Sequence, residues 1–281
     1  MRIPSRVKKS VVFIGIKADD SVITEPDYCG TGFIVSIQSS KIKRVSFPYL
    51  VTARHVAAEL KGLDFYIRVN TKDGKAIVFK VGAGQMKWWF NPKEDEACDV
   101  AIFPLGIPQE IFNTMDYEAI KTDMFLTDAE ISEQGIGEGD DVFTAGVFYH
   151  HQGENKNLPI VRMGNIAMMP DEPIQHKKFG DMEVYLIELR SMSGLSGSPV
   201  FVLNQVAGEI TEKGLFKTSW HIYLLGLICG HWEKGIDKIN VGIAYVAPAK
   251  KILETINRKE LADIRGALEA NYIADKSPVL D

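Results

Sequence analysis

A short loop of serines and glycines around Ser196 has the residue types needed for covalent chemistry. Its sequence is Ser193-Gly194-Leu195-Ser196-Gly197-Ser198, and it joins two apolar runs that are typical of strands. Gly194 and Gly197 can adopt backbone conformations that a residue with a Cβ resists. The N–H groups of Gly194 and Ser196 could therefore form an oxyanion hole beside the Ser196 hydroxyl. The alternative is an ordinary Ser/Gly turn in a β protein.

His55 is the best candidate for the base that a serine hydroxyl needs. It is one of six histidines, and an isolated histidine usually has a structural role. His55 differs because the apolar run Tyr49-Leu50-Val51-Thr52 delivers it to a strand end. A strand end is a rigid position on which a catalytic group can be mounted.

The acid that would orient His55 is expected to be Asp99. It begins the run Asp99-Val100-Ala101-Ile102-Phe103, where a charge is costly to bury unless it has a partner. The alternative is a strand-end aspartate that faces water. Rival acids lie in a nearby polar loop, and two other serines are rival nucleophiles. These rivals are Glu94, Asp95, Glu96, Ser193 and Ser198.

The elements that must position these residues are predominantly β-strands. Six strands are predicted by residue 105, at 11–16, 30–38, 45–52, 65–71, 76–81 and 100–105. Six more follow at 142–148, 160–168, 183–189, 198–203, 222–229 and 241–246. This pattern predicts an all-β protein with two six-stranded antiparallel barrels, because closing a sheet removes its exposed edges.

The expected domain organisation follows from the two sets of strands. The N-terminal barrel is predicted over residues 1–106, a connection over 107–134, the C-terminal barrel over 135–246, and a helix and tail over 247–281. A helical turn or two is expected within 111–120. Pro248 suits the first position of the C-terminal helix, which we expect to pack on the second barrel through an apolar face. That face comprises Ile252, Leu253, Ile256, Leu261, Ile264 and Leu268.

Composition narrows the classes of function. The chain has 281 residues, of which 46% are apolar and 25% charged, as in globular proteins. Its net charge of −5 gives no electrostatic reason to expect a nucleic-acid partner. Neither a signal peptide nor a membrane span is predicted.

The cysteines also bear on location. Cys29, Cys98 and Cys229 have no paired spacing, which predicts free thiols and no metal site. We therefore expect a cytoplasmic protein. Nothing in the sequence calls for a cofactor.

Three motifs together resemble those of trypsin/chymotrypsin-type serine peptidases, most closely the bacterial HtrA-type branch. Thr52-Ala53-Arg54-His55 is similar to Thr-Ala-x-His, and Asp99-Val100-Ala101-Ile102 is similar to Asp-(Ile/Leu/Val)-Ala-Leu. Gly194-Leu195-Ser196-Gly197-Ser198-Pro199 resembles Gly-Asp-Ser-Gly-Gly-Pro. The three motifs bring His, Asp and Ser in the chymotrypsin order along the chain. Gly30-Thr31-Gly32-Phe33-Ile34 and Gly139-Asp140-Asp141-Val142-Phe143 resemble further HtrA-type segments, so the likeness spans about 8–258. No PDZ-like module is expected after the helix.

The resemblance implies a role for each of the three residues. His55 would be the general base, Asp99 its orienter and Ser196 the nucleophile, in a cleft between the barrels. Leu195 stands where digestive members carry an aspartate that pairs with a newly cut N-terminus, so activation by such cleavage is not expected. Ser198 replaces the second glycine of the family motif.

The resemblance also implies where a substrate would bind. Arg190 would lie at the base of the primary pocket, Gly242 on its wall, and Cys229, Gly230 and His231 on the strand that lines the substrate. Arg190 or His231 in the pocket would favour acidic or amide side chains. The alternative is that Arg190 points to solvent at a strand end.

Three functions are compatible with these observations. The first is a serine endopeptidase that acts on a protein or peptide through an acyl-enzyme. The second is a non-catalytic peptide-binding scaffold on the same fold, although a pure binder has no need of His55 or Asp99. The third is a hydrolase of small esters. A regulatory partner is compatible with all three but is not readable from the sequence.

Overall fold

The computed structural model describes residues 3–17, 25–84, 87–93, 97–176, 179–210, 216–234 and 239–276. Most of the apolar runs in the sequence form strands, and these belong to two large, mainly antiparallel sheets. The protein is mainly β, with a C-terminal helical segment, as predicted. The fold is consistent with the chymotrypsin-like arrangement that the family resemblance implies.

The first sheet contains eight strands, of which six are those predicted. They are β1 Val11–Ile16, β2 Asp27–Gln38, β3 Ser46–Thr52, β4 Phe65–Asn70, β5 Ala76–Val81, β6 Trp89–Phe90, β7 Ala101–Pro104 and β8 Ile120–Lys121. The pairing order is β5-β4-β1-β2-β3-β7-β6, and β8 pairs with β2. The additional strands β6 and β8 have two residues each, too few to show alternation in the sequence. Within the described residues, no pairing joins β5 to β6, so closure is not seen in this sheet.

The second sheet is a closed barrel of six strands. These strands are β9 Asp141–Gly146, β10 Ile160–Met168, β13 Tyr185–Glu188, β14 Pro199–Ile210, β15 Phe216–Lys234 and β16 Ile239–Pro248. They close in the order β10-β13-β16-β15-β14-β9, which confirms the predicted barrel. A separate two-stranded hairpin consists of β11 Ile174–His176 and β12 Gly180–Met182. Strands β14 and β15 extend well beyond the predicted 198–203 and 222–229, because they continue to pair past the apolar run.

Six α-helices accompany the strands in the described parts of the chain. They are α1 Ser5–Lys9, α2 Arg54–Glu59, α3 Gln109–Thr114, α4 Asp128–Gln134, α5 Ala249–Ile256 and α6 Lys259–Lys276. The connection over 107–134 contains α3 and α4, and the sequence analysis did not predict α4. Its signal was present in the sequence, because Thr127 and Glu130 form a capping box at the helix start. None of the helices in the described residues is long and apolar enough to cross a bilayer.

The C-terminal segment differs from the expected packing. Helix α5 buries Ile252 and Ile256, and it contacts β15 and β16 of the barrel as well as β7 of the first sheet. Helix α6 lies against the first sheet instead, where Arg265 donates a hydrogen bond of 2.9 Å to the Tyr49 hydroxyl. Ile264 and Leu268, expected on the packing face, are exposed. Their helical spacing was correct, but the face turned towards the protein is the one that carries Arg265 and Leu261.

One apolar core joins the two sheets. A single buried cluster contains Phe13 and Val51 of the first sheet, Phe143 and Phe201 of the barrel, and Ile252 of α5. The rings of Phe143 and Phe201 stack with their centroids 5.5 Å apart. Since both sheets contribute to this cluster, their relative position is set by burial of apolar surface.

Candidate active site

His55 and Asp99 form a close pair at the ends of two neighbouring strands. The distance from His55 Nδ1 to Asp99 Oδ2 is 2.7 Å. The Asp99 side chain is 4% exposed, whereas that of His55 is 31% exposed. A carboxylate only accepts hydrogen bonds, so this contact places a proton on Nδ1 and leaves Nε2 as the basic nitrogen. The structure thus brings together two of the three residues predicted to act as a unit.

A second hydrogen bond orients the same pair. His55 lies in the first turn of α2, where backbone N–H groups have no partner within the helix. The His55 N–H donates to Asp99 Oδ1 across 2.9 Å. Both carboxylate oxygens therefore contact His55, one through the backbone and one through the ring. The prediction of a strand-end histidine holds, with a short helix beginning one residue before it.

The loop that carries Ser196 depends on two glycines with positive φ. Gly194 has φ +93° and Gly197 has φ +82°, which only glycine adopts readily. A Cβ on Gly197 would lie 2.2 Å from the Thr31 carbonyl oxygen and 2.3 Å from Thr52 Oγ1. This loop therefore packs directly against the end of the strand that delivers His55.

Thr31 clamps the loop from the first sheet, a role that the sequence analysis did not assign. Its buried Oγ1 donates to the Gly194 carbonyl at 2.6 Å and accepts from the Val147 N–H at 2.9 Å. Its N–H donates to the Ser196 carbonyl at 3.0 Å. One residue of β2 thus holds the loop at two carbonyl groups. The only signal in the sequence was the Gly-Thr-Gly motif around Thr31, which predicts tight packing but no particular partner.

The two predicted oxyanion donors have no partner within the loop. Among the described residues, no backbone carbonyl accepts a hydrogen bond from the N–H of Gly194 or of Ser196. In the same loop, Leu195 donates to Met192 and Gly197 donates to the Ile228 carbonyl. The N–H groups of Gly194 and Ser196 are therefore both available as donors.

Ser196 is partly exposed, and the structure records no hydrogen bond between its hydroxyl and His55. Its carbonyl is held by Thr31, but the side chain is not held by a hydrogen bond among the described residues. The three residues of the predicted triad are thus placed as a hydrogen-bonded pair and a separate serine.

The rival residues have different surroundings. Ser198 is fully buried, and its hydroxyl has no hydrogen-bond partner, while Ser193 is exposed. The Leu195 side chain is buried in the core of the second barrel, among residues such as Leu189 and Ile228. The rival acids at 94–96 lie outside the described residues. Burial removes Ser198 from direct contact with a substrate.

The cysteines lie in or near this region, and none of the three forms a disulfide, as predicted. Burial raises the pKa of the Cys229 thiol well above its usual range, and the nearby Asp99 carboxylate acts in the same direction. Burial, together with the charge of Glu59, raises the pKa of Cys29 to about 11. Both thiols are therefore neutral near pH 7.

The residues predicted to bind substrate divide into two groups. Arg190 and Gly242 line one cavity of about 440 Å³. Residues 190–192, which precede the Ser196 loop in the sequence, form part of its wall. Arg190 is exposed, yet it contributes to this cavity. Cys229, Gly230 and His231 lie on β15 and do not line it. Among the described residues, no three histidine, cysteine or acidic side chains are grouped so as to hold a metal ion.

Comparisons with known proteins bear on the fold. No protein-family model matches the sequence, and no curated protein sequence matches it. Among solved structures, the apo protease domain of MamO from Magnetospirillum magneticum matches with a TM-score of 0.54 and 16% identity, covering 90% of this chain and 99% of that one. Deg5 matches with a TM-score of 0.49 and 15% identity, over 88% of this chain and 87% of its own.

The HtrA-type protease AlgW with a decapeptide matches with a TM-score of 0.43 and 14% identity, over 89% of this chain and 63% of its own. At these identities the matches bear on fold only. The sheet topology and the match to the MamO protease domain together show that this chain shares the fold of that domain, which is consistent with the trypsin-like fold expected from the sequence.

Proposed function

We propose that this protein is a serine endopeptidase that cleaves peptide bonds through an acyl-enzyme at Ser196. The observation that carries the proposal is the contact of 2.7 Å between His55 Nδ1 and the buried Asp99 carboxylate. The Ser196 loop packs against the strand that delivers His55, and the N–H groups of Gly194 and Ser196 in this loop have no backbone acceptor among the described residues. A histidine oriented in this way is a general base, and the two donors suit an oxyanion. The trypsin-like fold is compatible with this chemistry.

The proposed reaction has two steps. Ser196 Oγ attacks the carbonyl carbon of the scissile bond while its proton passes to His55 Nε2. The carbon–nitrogen bond breaks, and His55 donates that proton to the departing amine. A water molecule then gives a proton to His55 and attacks the ester carbonyl. The bond to Ser196 Oγ breaks, His55 returns the proton to Oγ, and the second peptide leaves with a new carboxyl group. Asp99 stays ionised and stabilises the imidazolium in both steps.

Ser196 must approach His55 for the first step. Rotation about the Cα–Cβ bond of a partly exposed serine is a small change between staggered rotamers. Catalytic hydrogen bonds are often long without substrate and tighten when substrate binds. We therefore propose that a bound peptide selects the rotamer in which Ser196 Oγ contacts Nε2.

A second candidate is a peptide-binding scaffold that does not cleave. The absence of a hydrogen bond between Ser196 and His55 favours a scaffold, because a binder needs no contact between them. The two hydrogen bonds between His55 and Asp99 argue against a scaffold, since binding alone would not require an imidazole fixed at its Nδ1. A hydrolase of small esters would use the same residues as a peptidase.

One experiment separates these functions. The protein is exposed to a fluorophosphonate probe, and the labelled residue is located by mass spectrometry, with Ser196→Ala and Ser193→Ala as matched variants. We expect labelling at Ser196, its loss only in Ser196→Ala, and cleavage of a broad peptide library by the wild type. Labelling with ester turnover but no peptide cleavage would indicate the esterase. A folded protein that binds peptides but is not labelled would indicate the scaffold.

We also propose a cytoplasmic, reducing environment and a protein or peptide substrate without a nucleic-acid or membrane partner. The support is the absence of disulfides among three cysteines and the net charge of −5. Cell fractionation with an antibody to the natural protein tests the location. Recovery in an oxidising compartment would contradict it.

A further inference from the structure

The cavity beside the Ser196 loop has an unusual lining of two arginines. Its volume is about 440 Å³. It is lined by Arg162, Arg190, Ser191, Met192, Asn240, Val241 and Gly242. Arg190 adjoins the loop in sequence, whereas Arg162 comes from β10, which pairs with β13, the strand just before Arg190. Two arginines therefore contribute to the lining of one small space.

The guanidinium of Arg162 has a buried hydrogen-bond donor for which the described protein supplies no acceptor. Its Nε is buried and has no hydrogen-bond partner. Its Nη2 contacts Met192 Sδ at 3.5 Å, and a thioether is only a weak acceptor. Keeping a charged donor out of water without an acceptor is costly. Such a group is suited to meeting an acceptor that arrives with a ligand.

No carboxylate of the described protein neutralises either arginine. The ion pairs of the described residues include neither Arg162 nor Arg190. The positive charge of the cavity is thus uncompensated by the described side chains around it.

Two polar acceptors of the cavity wall are already engaged. The Ser191 carbonyl accepts from Asn240 Nδ2 at 2.6 Å, and Asn240 Oδ1 accepts from the Gly242 N–H at 2.8 Å. The charged groups that the wall offers to a ligand are the two arginines, which supply hydrogen-bond donors and positive charge. A carboxylate matches this, because the fork of a guanidinium binds two carboxylate oxygens at once.

We propose that this cavity binds the side-chain carboxylate of an aspartate or glutamate in a peptide substrate, with Arg162 and Arg190 as specificity-determining residues. The inference rests on the proposed function for the position of that residue. Because residues 190–192 lead directly into the Ser196 loop, the acidic residue is the one whose carbonyl Ser196 attacks. The protein then cleaves on the carboxyl side of acidic residues.

The test uses peptides that differ at a single residue, which is Glu, Gln, Leu or Lys. Their N-termini are acetylated and their C-termini amidated, so that the side chain supplies the only carboxylate. Cleavage is measured as kcat/KM with the wild type, and binding is measured by fluorescence anisotropy with Ser196→Ala. One charge-assisted contact corresponds to a preference for Glu over Gln of about 10- to 100-fold.

Three variants assign the preference to the cavity. Arg162→Gln is expected to lower kcat/KM for the Glu peptide about 10-fold and to leave the Gln peptide within about twofold. Arg190→Glu, at an exposed position that should tolerate the change, is expected to reverse the preference towards Lys. Arg44→Gln is the matched control, because Arg44 is exposed and does not line the cavity. It should change neither value.

The outcomes separate this inference from the proposed function. A preference in binding for the Glu peptide over the Gln peptide supports the cavity assignment if Arg190→Glu abolishes it. This holds even if neither peptide is cleaved. Cleavage without a preference for Glu, unchanged in Arg162→Gln and Arg190→Glu, overturns the assignment and leaves the peptidase intact. Absence of any Glu preference in both binding and cleavage overturns it as well. If Arg162→Gln does not fold, Arg190→Glu decides.

Discussion

Thr31 Oγ1 lies 2.6 Å from the Gly194 carbonyl oxygen, although 163 positions separate the two residues. This hydrogen bond attaches the Ser196 loop of the second barrel to strand β2 of the first sheet. The same hydroxyl accepts from the Val147 N–H, so it is satisfied as both donor and acceptor while fully buried. The shape of the candidate oxyanion hole therefore depends on how the two sheets dock.

We predict that Thr31→Val reduces kcat/KM by about 100-fold, because small displacements of catalytic groups are costly in rate. It also leaves the buried Val147 N–H without its acceptor, which should lower the free energy of unfolding by about 2 kcal/mol. The control is Thr255→Val, which removes a buried hydroxyl bonded within α5. That variant should lose stability but keep activity. Equal activities of the two variants would argue against the clamp.

Asp99→Asn tests the orientation of His55. The asparagine oxygen can still accept from the His55 N–H, but its NH₂ group then faces Nδ1 and favours the tautomer with the proton on Nε2. The base is lost while the fold remains, so we expect kcat to fall on the order of 10⁴-fold. Peptide turnover and thermal melting are measured beside Asp116→Asn, a change at a surface ion pair. A folded Asp99→Asn enzyme with near-normal kcat would exclude this role.

Ser198→Ala is expected to stabilise the protein. The Ser198 hydroxyl is fully buried without a hydrogen-bond partner, and its removal should relieve a cost of about 1 kcal/mol. Activity should be retained, because a buried hydroxyl is not the nucleophile. Denaturant unfolding and peptide turnover are measured together. A variant that is stable but inactive would reassign the nucleophile.

The Glu183 carboxylate joins helix α5 to the second barrel. Burial acts to raise its pKa, but its hydrogen bonds with Lys250 and Lys251 prevail and hold the pKa below its ordinary value. Lys251 lies 2.8 Å away and is 5% exposed on its side chain. Since the folded-state pKa is the lower one, the pair stabilises the protein above the unfolded-state pKa. That stability is lost as pH falls through the folded-state value.

We therefore predict that Glu183→Gln lowers the free energy of unfolding at pH 7 by about 2 kcal/mol. Below about pH 4.5 the difference between wild type and variant should shrink, because the wild-type carboxylate becomes protonated. The control is Glu260→Gln, which alters an exposed pair with Arg258. Urea unfolding across pH 3 to 8 measures both. A difference that does not depend on pH would contradict the linkage.

The thiols should be unreactive until the protein unfolds. With a pKa of about 11, the Cys29 thiolate fraction at pH 8 is on the order of 10⁻³. Cys98 is shielded by burial, and the pKa of the half-buried Cys229 thiol is raised well above its usual range. A thiol reagent should react slowly with the folded protein and rapidly with three groups in denaturant without reductant. A count below three in denaturant would indicate a disulfide.

The sequence by itself was sufficient to predict most secondary-structure elements and to identify the candidate catalytic residues. All twelve strands predicted from apolar runs are present, because alternation reports local burial on one face of a sheet. Each candidate catalytic residue lies in a short motif made of its neighbours in the chain. The sequence alone could therefore identify His55, Asp99 and Ser196. The pairing of His55 with Asp99 then followed from the adjacency of β3 and β7.

Only the tertiary structure decided which distant groups meet. Arg162 lies within an ordinary strand, and nothing local indicates that the pairing of β10 with β13 places it in the same cavity as Arg190. Thr31 likewise acquires its partners from the other sheet. The apolar spacing of α6 suggested a buried face, yet the helix is held through Arg265 and Tyr49. Periodicity specifies that a helix forms, whereas the face that packs is chosen by competition among all available surfaces.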